Sequence, residues 1–157
     1  MRKILVSTCL LGQSVVGYRV RYNDGDVPCA DPRFTRWRQE GRFVHICPEM
    51  SGGLPTPRPR AHVAGDRVFT EIGTDVTAEY ERGAQAALAL VNRHGIKLAI
   101  LKQGSPSCGS RVIFSAYFKE QMPGQGRTAA LLTANGVKIF DENQLDALEH
   151  ELARNDA

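Results

Sequence analysis

The sequence predicts an α/β fold: a single-domain, open and mainly parallel sheet flanked by helices, in a Rossmann-like three-layer order. Three observations carry this. Four short apolar runs, Lys3–Ser7, Arg42–Ile46, Lys97–Leu101 and Val137–Phe140, have the length and composition of strands buried in a parallel sheet. Segments of helical periodicity alternate with them, which is the pattern of strands joined by helical crossovers. A chain of 157 residues with no internal repeat suits one domain, residues 1–157, large enough to bury roughly two thirds of its unfolded surface.

The first run empties into Thr8-Cys9-Leu10-Leu11-Gly12, and an irregular polar region follows from Gln13 to Asp31. Pro32 begins a short helix, with Asp31 as its N-cap and proline in its first turn, and the helix stops near Gly41. The second strand ends in Cys47-Pro48-Glu49. The Gly/Pro-rich stretch from Ser51 to Arg60 reads as a loop without regular structure, and long loops in compact domains are usually functional. Val63 to Phe69, turning at Gly65-Asp66, reads as a small hairpin.

The longest helix is expected from Thr77 to about His94, because Tyr80, Ala84, Ala87, Leu88 and Val91 recur at helical spacing and Gly95 can end it. The third strand opens into Lys102-Gln103-Gly104-Ser105-Pro106-Ser107-Cys108-Gly109. Val112 to Phe118 is apolar but fits neither period. Pro123–Gly126 is a turn, Arg127–Asn135 a helix ending at Gly136, and Asp141 a cap for a last helix bearing Leu145, Leu148 and Leu152 on one face.

Composition narrows the function. No apolar segment approaches membrane-spanning length. The apolar core after Met1 is too short for a secretory signal and is broken by Ser7 and Thr8, so a cytoplasmic location is expected. Thiols stay reduced there, and four cysteines read as metal, cluster or catalytic candidates rather than disulfides. Net charge is +3, without the lysine/arginine block of a protein that binds a nucleic acid polymer.

Right-handed crossovers bring all strand carboxyl ends to one edge of the sheet, where such folds place ligand chemistry. Cys9, Cys47 and Cys108 each follow a strand and converge on that edge. There is no Cys-x-x-Cys pair, so common zinc spacings do not apply. Three thiolates would hold a cluster with one iron open, the coordination that Lewis-acid chemistry needs. Spacing alone does not choose between that and three buried, inert thiols. Cys29, in the polar loop with no preceding strand, reads as incidental. Glu49 is a general acid/base candidate or a surface turn residue. Ser105 and Ser107 are donors to a ligand or loop-capping hydroxyls. Lys102 balances thiolate charge or is a solvated strand end. Arg58 suits a phosphate, and no role is assigned to His45, His62, His94 or His150.

The motifs Thr8-Cys9-Leu10-Leu11-Gly12, Arg21-Tyr22-Asn23, Cys47-Pro48-Glu49-Met50-Ser51-Gly52-Gly53-Leu54-Pro55, Pro57-Arg58, Leu101-Lys102 and Ser105-Pro106-Ser107-Cys108-Gly109 resemble the thiouracil desulfidase family. The resemblance runs from Ile4 to about Phe140. It implies a [4Fe-4S] cluster held by Cys9, Cys47 and Cys108, and removal of sulfur from thiolated uracil, free or as its nucleotide (the 4-thiouracil or 4-thio-UMP type). Glu49 and Ser105 match the catalytic positions. Water activated by Glu49 would replace sulfur, and sulfide would remain on the open iron. Tyr22 would stack on the base, Arg21 or Arg58 would hold a phosphate, and Ser107 would contact substrate. The partners implied are a thiolated pyrimidine and cluster-assembly machinery. Two alternatives are a non-catalytic iron–sulfur sensor or carrier and a structural zinc module.

Overall fold

The computed structural model describes residues 1–12, 29–55, 58–114 and 121–155. Its main sheet contains β1 (Ile4–Ser7), β2 (Phe43–Ile46), β5 (Leu98–Ile100) and β8 (Lys138–Phe140), all parallel, in the order β2-β1-β5-β8. β1 is central, and Ile4, Leu5 and Val6 are fully buried. Its two neighbours lie on opposite sides, so the strand order reverses at β1, the place where open α/β sheets form a ligand crevice.

Side chains alternate along these strands and split the core in two. Ile4, Val6, Leu98 and Ile100 face α1 (Pro32–Gln39) and α5 (Leu145–Asn155), meeting Phe34, Trp37, Leu145, Leu148 and Leu152. Leu5, Ala99 and Leu101 face α3 (Thr77–His94) and α4 (Arg127–Ala134), meeting Ala87, Val91, Ala129 and Leu132. Three layers result, as expected.

Local signals set most boundaries. The Asp31 carboxylate accepts from the Arg33 amide at 2.9 Å, and Pro32 opens α1. α3 ends at Gly95, whose φ of 64° is left-handed. The hairpin β3 (Ala61–Ala64) and β4 (Arg67–Thr70) packs beside α3 through Val68, Val76 and Tyr80. Val112–Phe114 is strand β6, paired with β7 (Gln121–Pro123).

The described residues of the Ser51–Arg60 stretch after Ser51 hold no helix or strand, as expected; the short helix α2 (Pro48–Ser51), which begins at the proline after Cys47, was not foreseen. One expectation is corrected. Asp141 is not the cap of α5, which starts four residues later. It is fully buried and accepts from Gln103 Nε2 (2.5 Å), Arg111 Nε (2.8 Å) and the Asn143 amide (2.7 Å). No helix among the described residues is long and apolar enough to cross a membrane.

Candidate functional site

The carboxyl ends of β1, β2 and β5 enclose a small cavity of about 30 Å³, lined by Ser7, Thr8, Cys9, Ile46, Cys47, Pro48, Glu49, Lys102, Ser105 and Cys108. Cys9 follows β1 in a 3₁₀ turn (Thr8–Leu11), Cys47 caps α2, and Cys108 lies in the loop after β5. All three are free thiols; Cys9 and Cys108 are buried and Cys47 half-buried. The predicted convergence therefore holds.

Backbone contacts fix the two approaching segments. α2 lies against α3 at glycines: a Cβ on Gly83 would stand 2.0 Å from the Pro48 carbonyl oxygen, and one on Gly52 would stand 1.9 Å from that of Glu79. The Cys108 loop docks on the start of α4. Arg127, Thr128 and Ala129 donate backbone N–H bonds to the carbonyls of Pro106 and Ser107 at 2.9–3.2 Å. The loop thus satisfies helix-end donors that no side chain caps. Gln103 braces its other side, accepting from the Arg111 and Val112 amides at 3.1 and 2.9 Å.

The thiols raise one another. Burial pushes Cys9 well above the ordinary thiol range, and Cys108 and Cys47 add to the rise. Burial also lifts Cys108, to about 12, against hydrogen bonds from Ser7 and Ser107 that favour its thiolate. Cys47 is raised by burial and then by Glu49. Three such thiols are a soft donor set that a thiophilic metal can hold once protons leave. Iron–sulfur clusters are held by cysteine thiolates, and this donor set, three thiols lining one cavity, fits such a group.

Beside the thiols runs a polar line. Ser105 Oγ accepts from the Ser107 and Cys108 amides, both at 3.0 Å, and donates to Glu49 Oε1 at 3.4 Å. Glu49 Oε2 meets Arg58 Nε at 2.7 Å. Burial opposes the Arg58 charge, but Glu49 and Cys47 more than offset it and hold the guanidinium charged. Lys102 pairs with Glu142 at 2.8 Å at the cavity's edge.

Two readings change here. Arg58, expected at a substrate phosphate, is only 4% exposed, and its guanidinium is turned to Glu49, Cys47 and the Pro55 carbonyl. Ser107, expected at the substrate, is 1% exposed and bonded to Thr128 Oγ1 at 2.9 Å, behind Cys108. Arg21 and Tyr22 lie outside the described residues. Cys29 is half-buried and does not line the cavity; its amide donates to the Leu10 carbonyl at 2.8 Å. Sequence reasoning passed over Ser7, whose hydroxyl accepts from the Lys102 amide at 3.0 Å and faces Cys108. Its signal was a serine ending an otherwise apolar strand.

Comparison with known proteins agrees with this geometry. The family model for 2-thiouracil desulfurase matches residues 4–144. A protein of Bacillus subtilis (strain 168), YbbK, described as uncharacterized, is 36% identical over 154 residues, spanning 91% of this chain and 97% of its own. The solved structure of the [4Fe-4S]-dependent thiouracil desulfidase TudS superposes with a TM-score of 0.89 at 46% identity, over 98% of this chain and 99% of that one.

Proposed function

Because this chain belongs to the 2-thiouracil desulfurase family, we propose that it is a [4Fe-4S]-dependent enzyme that removes sulfur from thiolated uracil, as the free base or its nucleotide, with water supplying the oxygen. The observation that carries this reading is one cavity lined together by Cys9, Cys47, Cys108, Glu49 and Ser105. Cys9, Cys47 and Cys108 would hold the cluster, and when bound it would supply a Lewis acid for the substrate's sulfur.

The chain's own residues do the rest. Glu49, oriented by its ion pair with Arg58, takes a proton from the attacking water. Water oxygen bonds to the ring carbon, and the carbon–sulfur bond then breaks. Sulfur departs as sulfide with its electron pair, the released protons balance its charge, and no oxidant or reductant is consumed. Ser105, fixed by two amides and in contact with Glu49, passes a proton or steadies the oxygen that develops charge. Ser7 and Ser107 orient Cys108 from behind. Arg21 or Tyr22 contacts the nucleotide. A cytoplasmic setting, with cluster-assembly machinery to load the site, keeps the thiols reduced.

The test is anaerobic reconstitution with iron and sulfide analysis and an absorbance spectrum, followed by sulfide release from 4-thiouracil, 2-thiouracil and their nucleotides. A brown protein that releases sulfide is expected. A fully loaded protein that releases none from any thiolated pyrimidine overturns the reading and leaves the non-catalytic sensor or carrier.

A further inference from the structure

Among the described residues the buried charged side chains are Arg58 and Asp141, and the surroundings of Arg58 point to a task for it. A buried ion is costly unless paired and hydrogen-bonded. Arg58 has both: Nε meets Glu49 Oε2 at 2.7 Å, Nη1 meets the Pro55 carbonyl at 3.4 Å, and Nη2 lies 3.7 Å from Cys47 Sγ. Just before β3 the Arg60 carbonyl accepts from the Glu71 amide at 2.9 Å, which ties the segment that carries Arg58 to the end of the hairpin.

On the opposite side Glu49 Oε1 receives the Ser105 hydroxyl at 3.4 Å. One carboxylate oxygen is thus held by Arg58 and the other faces the cavity. A base oriented by a third group, with a hydroxyl before it, is the arrangement that activates nucleophiles in many enzymes.

We propose that Arg58 is a positioning residue for desulfuration, acting through Glu49 rather than by binding substrate. The inference rests on the proposed function and adds a third member to the line Ser105–Glu49–Arg58. Its planar fork meets Glu49, the Pro55 carbonyl and Cys47 through three separate nitrogens, a fixed geometry that a lysine ammonium does not offer.

Arg58→Lys keeps a buried positive charge but loses the fork, and Arg58→Gln loses both. Each is reconstituted anaerobically beside the wild type and assayed on thiouracil and on its nucleotide. The expected result is unchanged iron content and absorbance, a kcat lower by about 10- to 100-fold on both substrates, and little change in KM. Three results overturn the proposal: a raised KM confined to the nucleotide, which makes Arg58 a phosphate ligand; an unchanged kcat, which makes it structural; and loss of iron from Arg58→Lys, which makes it a support of Cys47. If Arg58→Gln does not fold, Arg58→Lys alone carries the kinetic test.

A second measurement does not depend on turnover. Thermal midpoints of metal-free wild type, Glu49→Gln, Arg58→Lys and the double variant are compared. Positioning predicts that the second substitution costs much less once the first is made; additive shifts overturn it. Should the wild type desulfurate nothing, the functional reading falls, while this cycle still decides whether Arg58 holds Glu49.

Discussion

Gly83 lies in the middle of α3, and replacing it with alanine tests how the fold aims its site. In an ordinary helix interior this change stabilises by roughly 1 kcal/mol, because alanine is the better helix former. Here the new Cβ would stand 2.0 Å from the Pro48 carbonyl oxygen, whereas real Cβ contacts essentially never fall below 3.0 Å. The obstacle is backbone, so no rotamer change relieves it, and α2 must retreat from α3 by an ångström or more. Pro48 sits between Cys47 and Glu49, so that retreat moves the proposed cluster ligand and the proposed base together. A misplacement of about 1 Å costs on the order of 100-fold in rate. Gly83→Ala is therefore expected to fold, to lose part of its iron on anaerobic reconstitution, and to release sulfide about 100-fold more slowly. Thermal unfolding, iron analysis and a sulfide assay on one preparation separate these effects. A Gly83→Ala protein that is more stable, fully loaded and fully active would refute the claim that the α2–α3 contact positions the site.

Glu49→Gln should keep its colour and iron while losing about 100- to 10,000-fold in turnover, the range for removing a general base; unchanged sulfide release would remove Glu49 from the chemistry. Cys108→Ser should yield little or no bound cluster, whereas Cys29→Ser should keep full iron and activity, both read by absorbance and iron analysis. Asp75 is held down to about 2 by hydrogen bonds from Thr77 and by Arg67. Its contribution to stability is therefore present above the ordinary carboxylate pKa near 4 and lost as pH falls from there through about 2. Asp75→Asn should flatten the fall in melting temperature across that window and leave the neutral range unshaped; a parallel profile would count against the contact.

What the sequence revealed and what it withheld divide along local and tertiary lines. α3 was legible because eighteen residues repeat one period and end in a glycine that must adopt positive φ. The hairpin at Gly65-Asp66 and the cap at Asp31 were legible because their signals lie within a few residues of the structure they make. The three cysteines could be gathered from afar only because a parallel sheet leaves its strand ends little choice. α2 was hidden, since four residues cannot hold a helix by propensity; its glycine contact with α3 helps to hold it. Asp141 was misread, and the burial of Arg58 beside Glu49 went unseen, for the same reason. Which way a charged side chain turns depends on burial and partners that lie dozens of residues away or across a fold-back.

The electrostatics of the cavity explain why it takes this form. Three thiolates and the Glu49 carboxylate would place four negative charges in one buried space, facing the cations of Arg58 and Lys102. Burial and mutual repulsion keep the thiols protonated in the metal-free protein, with Cys108 raised to about 12. That neutral state lets three cysteines sit in the core as apolar side chains do. Iron would then replace protons rather than add charge to an ionised site, so loading releases protons and is favoured as pH rises. Glu49 stands apart from the thiols, its Oε2 held by Arg58 Nε at 2.7 Å. The proposed cluster ligands and the proposed base thus have different partners: protons or metal for the thiols, a buried guanidinium for the carboxyl group.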